Sequence, residues 1–180
     1  MRSKMIPVVA LILVVIFVCW PTISSAGLFK VVRVYDGDTI KAAGHDIEIK
    51  VRLVGIDAPE TSKGKRDPGQ PFGRMAEKYL AGLVLNKVVD IKGYGSDRYG
   101  RILGEIYIDD KNINLDILKT GYAEVYSGIS PRGLYMDEYH KAEDWARSSG
   151  QGIWSQGEKY LSPAIWRRSR QIVASGQAKK

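Results

Sequence analysis

The sequence predicts an α+β fold: a five-stranded antiparallel barrel carrying about three helices. Short β-branched runs separated by turn residues come first, and helical periodicity appears only after the third run. The order never alternates strand, helix and strand as a parallel sheet would.

Three strands are expected in GLFKVVRVYDGDTIKAAGHDIEIKVRLVGID, with residues 31–35 and 47–53 the richest in β-branched and apolar side chains. Asp36-Gly37 and Ala43-Gly44-His45-Asp46 break them with turn chemistry. After the loop TSKGKRDPGQP comes FGRMAEKYLAGLVL, in which Ala76, Tyr79, Leu80, Leu83 and Val84 share one helical face. KVVDIKGYG and RILGEIYID then read as two more strands joined by the polar GSDRYG. NINLDILKTG is a short helix closed by Gly121. LYMDEYHKAEDWARSSG is a longer one, with Tyr135, Tyr139, Ala142 and Trp145 or Ala146 inward and Gly150 as its stop. The order is three strands, a helix, two strands and two helices, and five short antiparallel strands with a helix after the third are what an OB-type barrel requires.

The 180 residues suit one domain plus appendages. A short basic start, an apolar run and small residues Ser24 and Ala26 before a cut give residues 1–26 the layout of a secretory signal peptide. An uncleaved anchor is the alternative, the run being near the length that spans a bilayer. The barrel domain is expected over residues 27–165, and a basic, frayed C-terminal tail over 166–180. The single cysteine, Cys19, lies in the leading segment, so the domain has no disulfide, thiolate metal site or thiol nucleophile. Net charge is +7; two of those charges, Arg2 and Lys4, belong to the leader, and the remaining +5 favours a polyanionic partner.

One hairpin gathers chemistry. With its turn centred near Gly44-His45, Asp38 lies opposite Val51 and beside Arg52, and Asp57 continues past the strand end on the same side. Asp36, Asp38, Arg52, Asp57 and Glu60 thus collect at one end of the sheet. Clustered acids need a positive partner, and oxygen ligands without His or Cys suit a hard cation such as Ca²⁺ or Mg²⁺. A forked guanidinium suits a phosphate. Together these parts serve metal-assisted phosphodiester hydrolysis.

VYDGDTI, VRLVGIDAPE, DRYGR and GIWS, in this order from about residue 29 to 155, resemble the thermonucleases, the staphylococcal nuclease-like family. The resemblance implies an OB-fold nuclease that needs Ca²⁺ and acts on DNA and RNA with little sequence preference. Asp38, Asp57 and the Ala58 carbonyl match the metal ligands, and Asp36 an acid behind them. Glu60 matches the general base; Arg52 and Arg101 match the two arginines on the scissile phosphate. Arg98 and Tyr99 fall near the bound nucleotide. Ala58 stands where the first-described members have Thr, and a backbone carbonyl serves from either. AEVYSGI places Ser127 where a stacking tyrosine is expected, with Tyr126 one position before.

Lys63, Lys65 and Arg66 read either as a basic lip for the nucleic-acid backbone or as a solvated loop. WRRSR, residues 166–170, could also touch phosphates, but an unstructured tail is the favoured reading. Tyr79, Tyr139 and Trp145 are expected in the core, and His45 and His140 have no role. The other functional class open to this fold is a non-catalytic module binding nucleic acid or protein, anchored to a membrane if the leader stays. A degenerate copy would have lost ligands, whereas Asp38, Asp57, Glu60, Arg52 and Arg101 are all present. The chain is expected to be a monomer with no stable protein partner.

Overall fold

The computed structural model describes residues 27–62, 64 and 68–177, without the side chains of 173–177. The leader, residues 1–26, and the loop residues Lys63, Lys65 and Arg66 lie outside the described residues. Strands β1 (Leu28–Asp36), β2 (Thr39–Gly44) and β3 (Ile47–Leu53) form an antiparallel meander, followed by the short β4 (Ile56–Asp57). Helix α1 (Gly73–Val84) precedes β5 (Val88–Ser96), β6 (Ile102–Ile108) and the short β7 (Lys111–Asn112). Then come α2 (Ile113–Lys119), β8 (Glu124–Val125), α3 (Asp137–Ser148), a 3-10 segment (Gly152–Lys159) and α4 (Pro163–Gln177). The large sheet runs β3-β2-β1-β5-β6-β7, and a β3–β6 contact closes five strands into the expected barrel. That closing contact is parallel, Val51 facing Ile102 and Leu53 facing Gly104, so the barrel is not antiparallel throughout.

Alternation fills it. Val31, Ile40, Ala42, Val51, Leu53 and Ile106 are fully buried, and Ala76, Leu80 and Val84 of α1 pack as the helical spacing requires. Each such Leu or Ile stabilises the fold by roughly 1.5–3 kcal/mol. In α3 the inward set is Tyr139, Ala142 and Ala146. Tyr135 and Trp145, expected inward, are instead 82% and 54% exposed. Tyr135 precedes the helix, so its periodicity does not apply there, and Trp145 yields the inner position to the smaller Ala146.

The hairpin register also differs from the expected one. His45 and Asp46 both take left-handed φ, 51° and 59°, making a two-residue turn centred one position later. Thr39 therefore faces Arg52 and Ile40 faces Val51. Asp38 comes opposite Leu53, whose N–H donates to its carbonyl at 2.8 Å, and stays beside Arg52. The tail expected to fray is the helix α4. Its start carries a helix signature that basic composition obscured: Ser162 Oγ accepts from the Ile165 N–H at 3.3 Å, and Pro163 stands at the first helical position. Among the described residues no helix is long and apolar enough to cross a membrane.

Two buried polar groups hold the barrel's ends. Asn114, fully buried, donates to the Val54 and Gly104 carbonyls at 2.8 and 3.1 Å and accepts from Ile106 N–H at 3.1 Å. Asn114→Ala will cost about 3 kcal/mol in denaturant unfolding, because it strands buried backbone groups. Glu105 accepts from Tyr94, Lys92, Tyr139 and Asn112. Burial pushes its carboxyl up, but the hydrogen bonds from Tyr94, Lys92 and Tyr139 outweigh it and hold it below the usual 4.5. The stability this contributes is present above about pH 4.5 and is lost as pH falls through the lowered folded value. Glu105→Gln will flatten that acid limb, read as urea midpoints from about pH 6 to about pH 3.

Candidate active site

The β1–β2 turn is Gly37-Asp38, flanked by paired Asp36 and Thr39. Asp36 Oδ1 accepts the Asp38 N–H at 3.1 Å, a local turn bond typical of aspartate. A Cβ on Gly37 would come within 2.7 Å of both Ala58 Cβ and Ala76 Cβ. Glycine therefore lets the turn tuck between α1 and the end of β4. Asp38 lands against the Asp57-Ala58-Pro59-Glu60 segment, and its Oδ2 accepts the Ala58 N–H at 2.8 Å. Its Oδ1 accepts from Thr39 Oγ1 at 3.0 Å and from Arg52 Nη1.

Arg52 bridges the two aspartates. Its Nη2 donates to Asp57 Oδ1 at 2.8 Å. Asp38 and Asp57 are each 1% exposed. Burial pushes the Asp38 carboxyl up to about 7, against the pull of Arg52 and with Asp36 and Asp57 adding to the rise. Burial also opposes the Arg52 charge, but Asp38 and Asp57 hold its proton more firmly than usual. Behind Asp57, across the β4–β8 pair, lies Glu124. Burial pushes its carboxyl up to about 7, opposed by the Tyr160 hydroxyl that donates to it and reinforced by the Asp57 charge.

Glu60 sits on the rim with its side chain 23% exposed. Its N–H donates to Gln70 Oε1 at 3.2 Å, and the Gln70 side chain donates onward to the Leu161 carbonyl at 2.6 Å. A Cβ on Gly73 would come 2.3 Å from the Glu60 carbonyl, so the start of α1 braces this loop by direct backbone approach.

A cleft of about 730 Å³ opens over these groups, lined by Arg52, Glu60, Arg98, Tyr99, Arg101 and Tyr126 among others. Arg101 is held by Asp97, whose Oδ2 accepts from its Nε at 2.7 Å. The Arg98 and Arg101 guanidiniums stand 4.9 and 5.7 Å from the Tyr99 ring centre. Tyr99 and Tyr126 are 69% and 41% exposed. Cations and open aromatic faces on one cleft suit a nucleic-acid strand, phosphates meeting arginine and bases meeting rings.

The structure thus brings all nine expected site residues to one place, in two tiers. Arg52, Glu60, Arg98, Tyr99, Arg101 and Tyr126 line the cleft. Asp38, Asp57 and Ala58 lie buried beneath. Sequence reasoning missed two further members, Glu124 and Arg167. Arg167, on the α4 expected to be unstructured, donates from Nη1 and Nη2 to Asp57 Oδ1 and Oδ2 at 3.0 and 2.7 Å. Its Nη1 also reaches Glu60 Oε1 at 3.0 Å.

The donor set fits a hard divalent cation. Asp36, Asp38, Asp57 and Glu60 bring four carboxyl groups to the cluster, and Arg52 and Arg167 bond to three of them. Every candidate donor is oxygen, the chemistry that a hard divalent cation takes. Among the described residues no three acidic or His side chains converge on one point. Two carboxylates, a carbonyl and water would therefore complete the coordination.

A family model described as staphylococcal nuclease homologue matches residues 50–156. An uncharacterized endonuclease of Haemophilus influenzae is 37% identical over 144 residues, 79% of this chain and 74% of the relative. A counterpart in Escherichia coli is 33% identical over 159 residues, 88% of this chain and 96% of the relative. Endonuclease YncB of Bacillus subtilis is 35% identical over 127 residues, 69% and 60% of the two chains.

Proposed function

Because the chain belongs to the family of staphylococcal nuclease homologues, we propose that it is a Ca²⁺-dependent nuclease that hydrolyses phosphodiesters of DNA and RNA. It cuts with little sequence preference and leaves 3′-phosphate ends. The relatives named endonucleases support the coarse reading, a hydrolase acting on nucleic acid. The observation that carries it is the joining of Asp38 and Asp57 through Arg52 at the floor of a cleft walled by arginines and tyrosines.

Asp38, Asp57 and the Ala58 carbonyl would hold the ion. When bound, a hard divalent cation supplies Lewis-acid polarisation of a phosphoryl oxygen. Tyr99 and Tyr126 take base faces and Arg98 a flanking phosphate, which sets the scissile diester above the floor. Glu60 accepts a proton from the attacking water, whose oxygen forms the new bond to phosphorus. Arg52 and Arg101 neutralise the charge that builds on the phosphoryl oxygens. The bond from phosphorus to the 5′ oxygen breaks, and that oxygen takes a proton from solvent. Pro59 fixes φ between Asp57 and Glu60 and so keeps the base at a set angle to the floor. Base-face stacking accepts any base, in keeping with weak sequence preference.

Purified protein will cut plasmid DNA and single-stranded RNA with Ca²⁺ and will fall to background with chelator. Equal cutting in chelator overturns the metal role; no cutting in either condition overturns the nuclease reading. The same proposal has the chain exported and cut after Ala26, on the pattern of residues 1–26. The N-terminal residue of protein recovered outside the cytoplasm, expected to be Gly27, tests it.

A further inference from the structure

α4 presents Ala164, Arg167, Arg168 and Gln171 to the cleft, spaced i, i+3, i+4 and i+7 on one helical face. Among the described side chains of the helix, Pro163 is buried and Ala164 and Trp166 are half-buried, whereas Ile165 and Ile172 are 56% and 63% exposed. The chain just before it is anchored, Tyr160 to Glu124 and the Leu161 carbonyl to Gln70. Beyond Ser162, α4 delivers Arg167 onto Asp57 and Glu60.

We propose that Arg167 is an internal counter-ion latch, occupying in the cation-free protein the carboxylate oxygens that the divalent cation needs, so that cation binding requires α4 to release it. This rests on the cation-dependent reading of the site given above. Both Asp57 oxygens are taken: Oδ1 accepts from Arg52 and Arg167, and Oδ2 from Arg167. A calcium–oxygen bond of roughly 2.3–2.6 Å at either oxygen would place the ion against a guanidinium nitrogen. The same guanidinium engages Glu60, the proposed base, so one side chain covers both a metal ligand and the proton acceptor. The charge on Arg167 makes the exchange possible, because a divalent cation can take the place of the guanidinium beside the Asp57 and Glu60 carboxylates. Pro163 marks the point about which α4 would move, since the bonds of Tyr160 to Glu124 and of Leu161 to Gln70 precede it. Arg167 thus gives Asp57 and Glu60 a counter-charge until the cation arrives.

The test is calcium binding without nucleic acid, by titration calorimetry on the purified full chain. For a latch closed more than about 90% of the time, Arg167→Ala will tighten Ca²⁺ binding about tenfold or more. Arg167→Gln, which keeps a hydrogen-bonding group but no charge, will tighten it too and guards against misfolding of the alanine variant. Hydrogen exchange at the backbone amides of residues 164–169 will quicken in wild type on adding Ca²⁺. Unchanged or weakened Ca²⁺ affinity in both variants overturns the latch while leaving the nuclease reading intact, as does unchanged exchange. Absence of Ca²⁺ binding in wild type and both variants, with chelator-resistant cutting, overturns the cation-dependent reading and the latch with it.

Discussion

Glu60→Gln will slow the cutting of plasmid DNA and single-stranded RNA about 10²–10⁴-fold at saturating Ca²⁺, the range set by general-base deletions. Glutamine keeps the size and one acceptor oxygen but cannot take the proton that the attacking water must lose. The fold is not at stake, because the Glu60 side chain is on the rim and its loop is held through backbone groups, the N–H on Gln70 and the carbonyl against Gly73. The loss should fall on kcat rather than KM, since Arg98, Tyr99 and Tyr126, which would hold substrate, are untouched. A fall in KM-linked binding with kcat intact would make Glu60 a substrate contact and remove it as the base.

Arg52→Lys will cost about 10²–10³ in kcat if its removal is as damaging as deletion of an oxyanion-hole donor. A lysine keeps the charge but offers one compact ammonium where the guanidinium forks to Asp38 and Asp57 at once. The variant will also lose stability, because two carboxylates each 1% exposed depend on that fork. Arg52→Ala goes further: it leaves the buried Asp38 without a guanidinium while Asp57 keeps Arg167, and removing one partner of a buried pair costs about 3–5 kcal/mol. Thermal unfolding measured beside kcat separates the two effects. Full stability with a hundredfold slower reaction assigns Arg52 to the phosphate; lost stability with normal kcat in the folded fraction assigns it only to the carboxylates.

Much of the barrel was legible because its signals are local. The β-branched runs, the turn residues between them and the 3.6-residue spacing of Ala76, Leu80 and Val84 each reflect neighbours a few positions apart. The site's two acidic stretches were legible for the same reason, since each stands at the end of a strand that its own residues specify. Local reasoning slipped where two local solutions compete. Turns centred on Gly44-His45 or on His45-Asp46 both have suitable residues, and the second prevails because His45 and Asp46 accept left-handed φ together. Trp145 and Ala146 are neighbours, either of which could have faced inward on paper, and in α3 Ala146 is buried while Trp145 is 54% exposed.

What the sequence determined by itself is therefore the order of elements, the inner faces of most of them, and the chemical kinds of group at the end of β3. The register that brings those groups together, and the company they keep, were decided only by tertiary structure. Arg167 lies 110 positions from Asp57, and the ion pair between them forms because the chain just before a helix that looked like a loose basic tail is anchored to the Gln70 and Glu124 side chains. No spacing rule reaches that far: a charge finds its partner through the field of the folded barrel, not through distance along the chain.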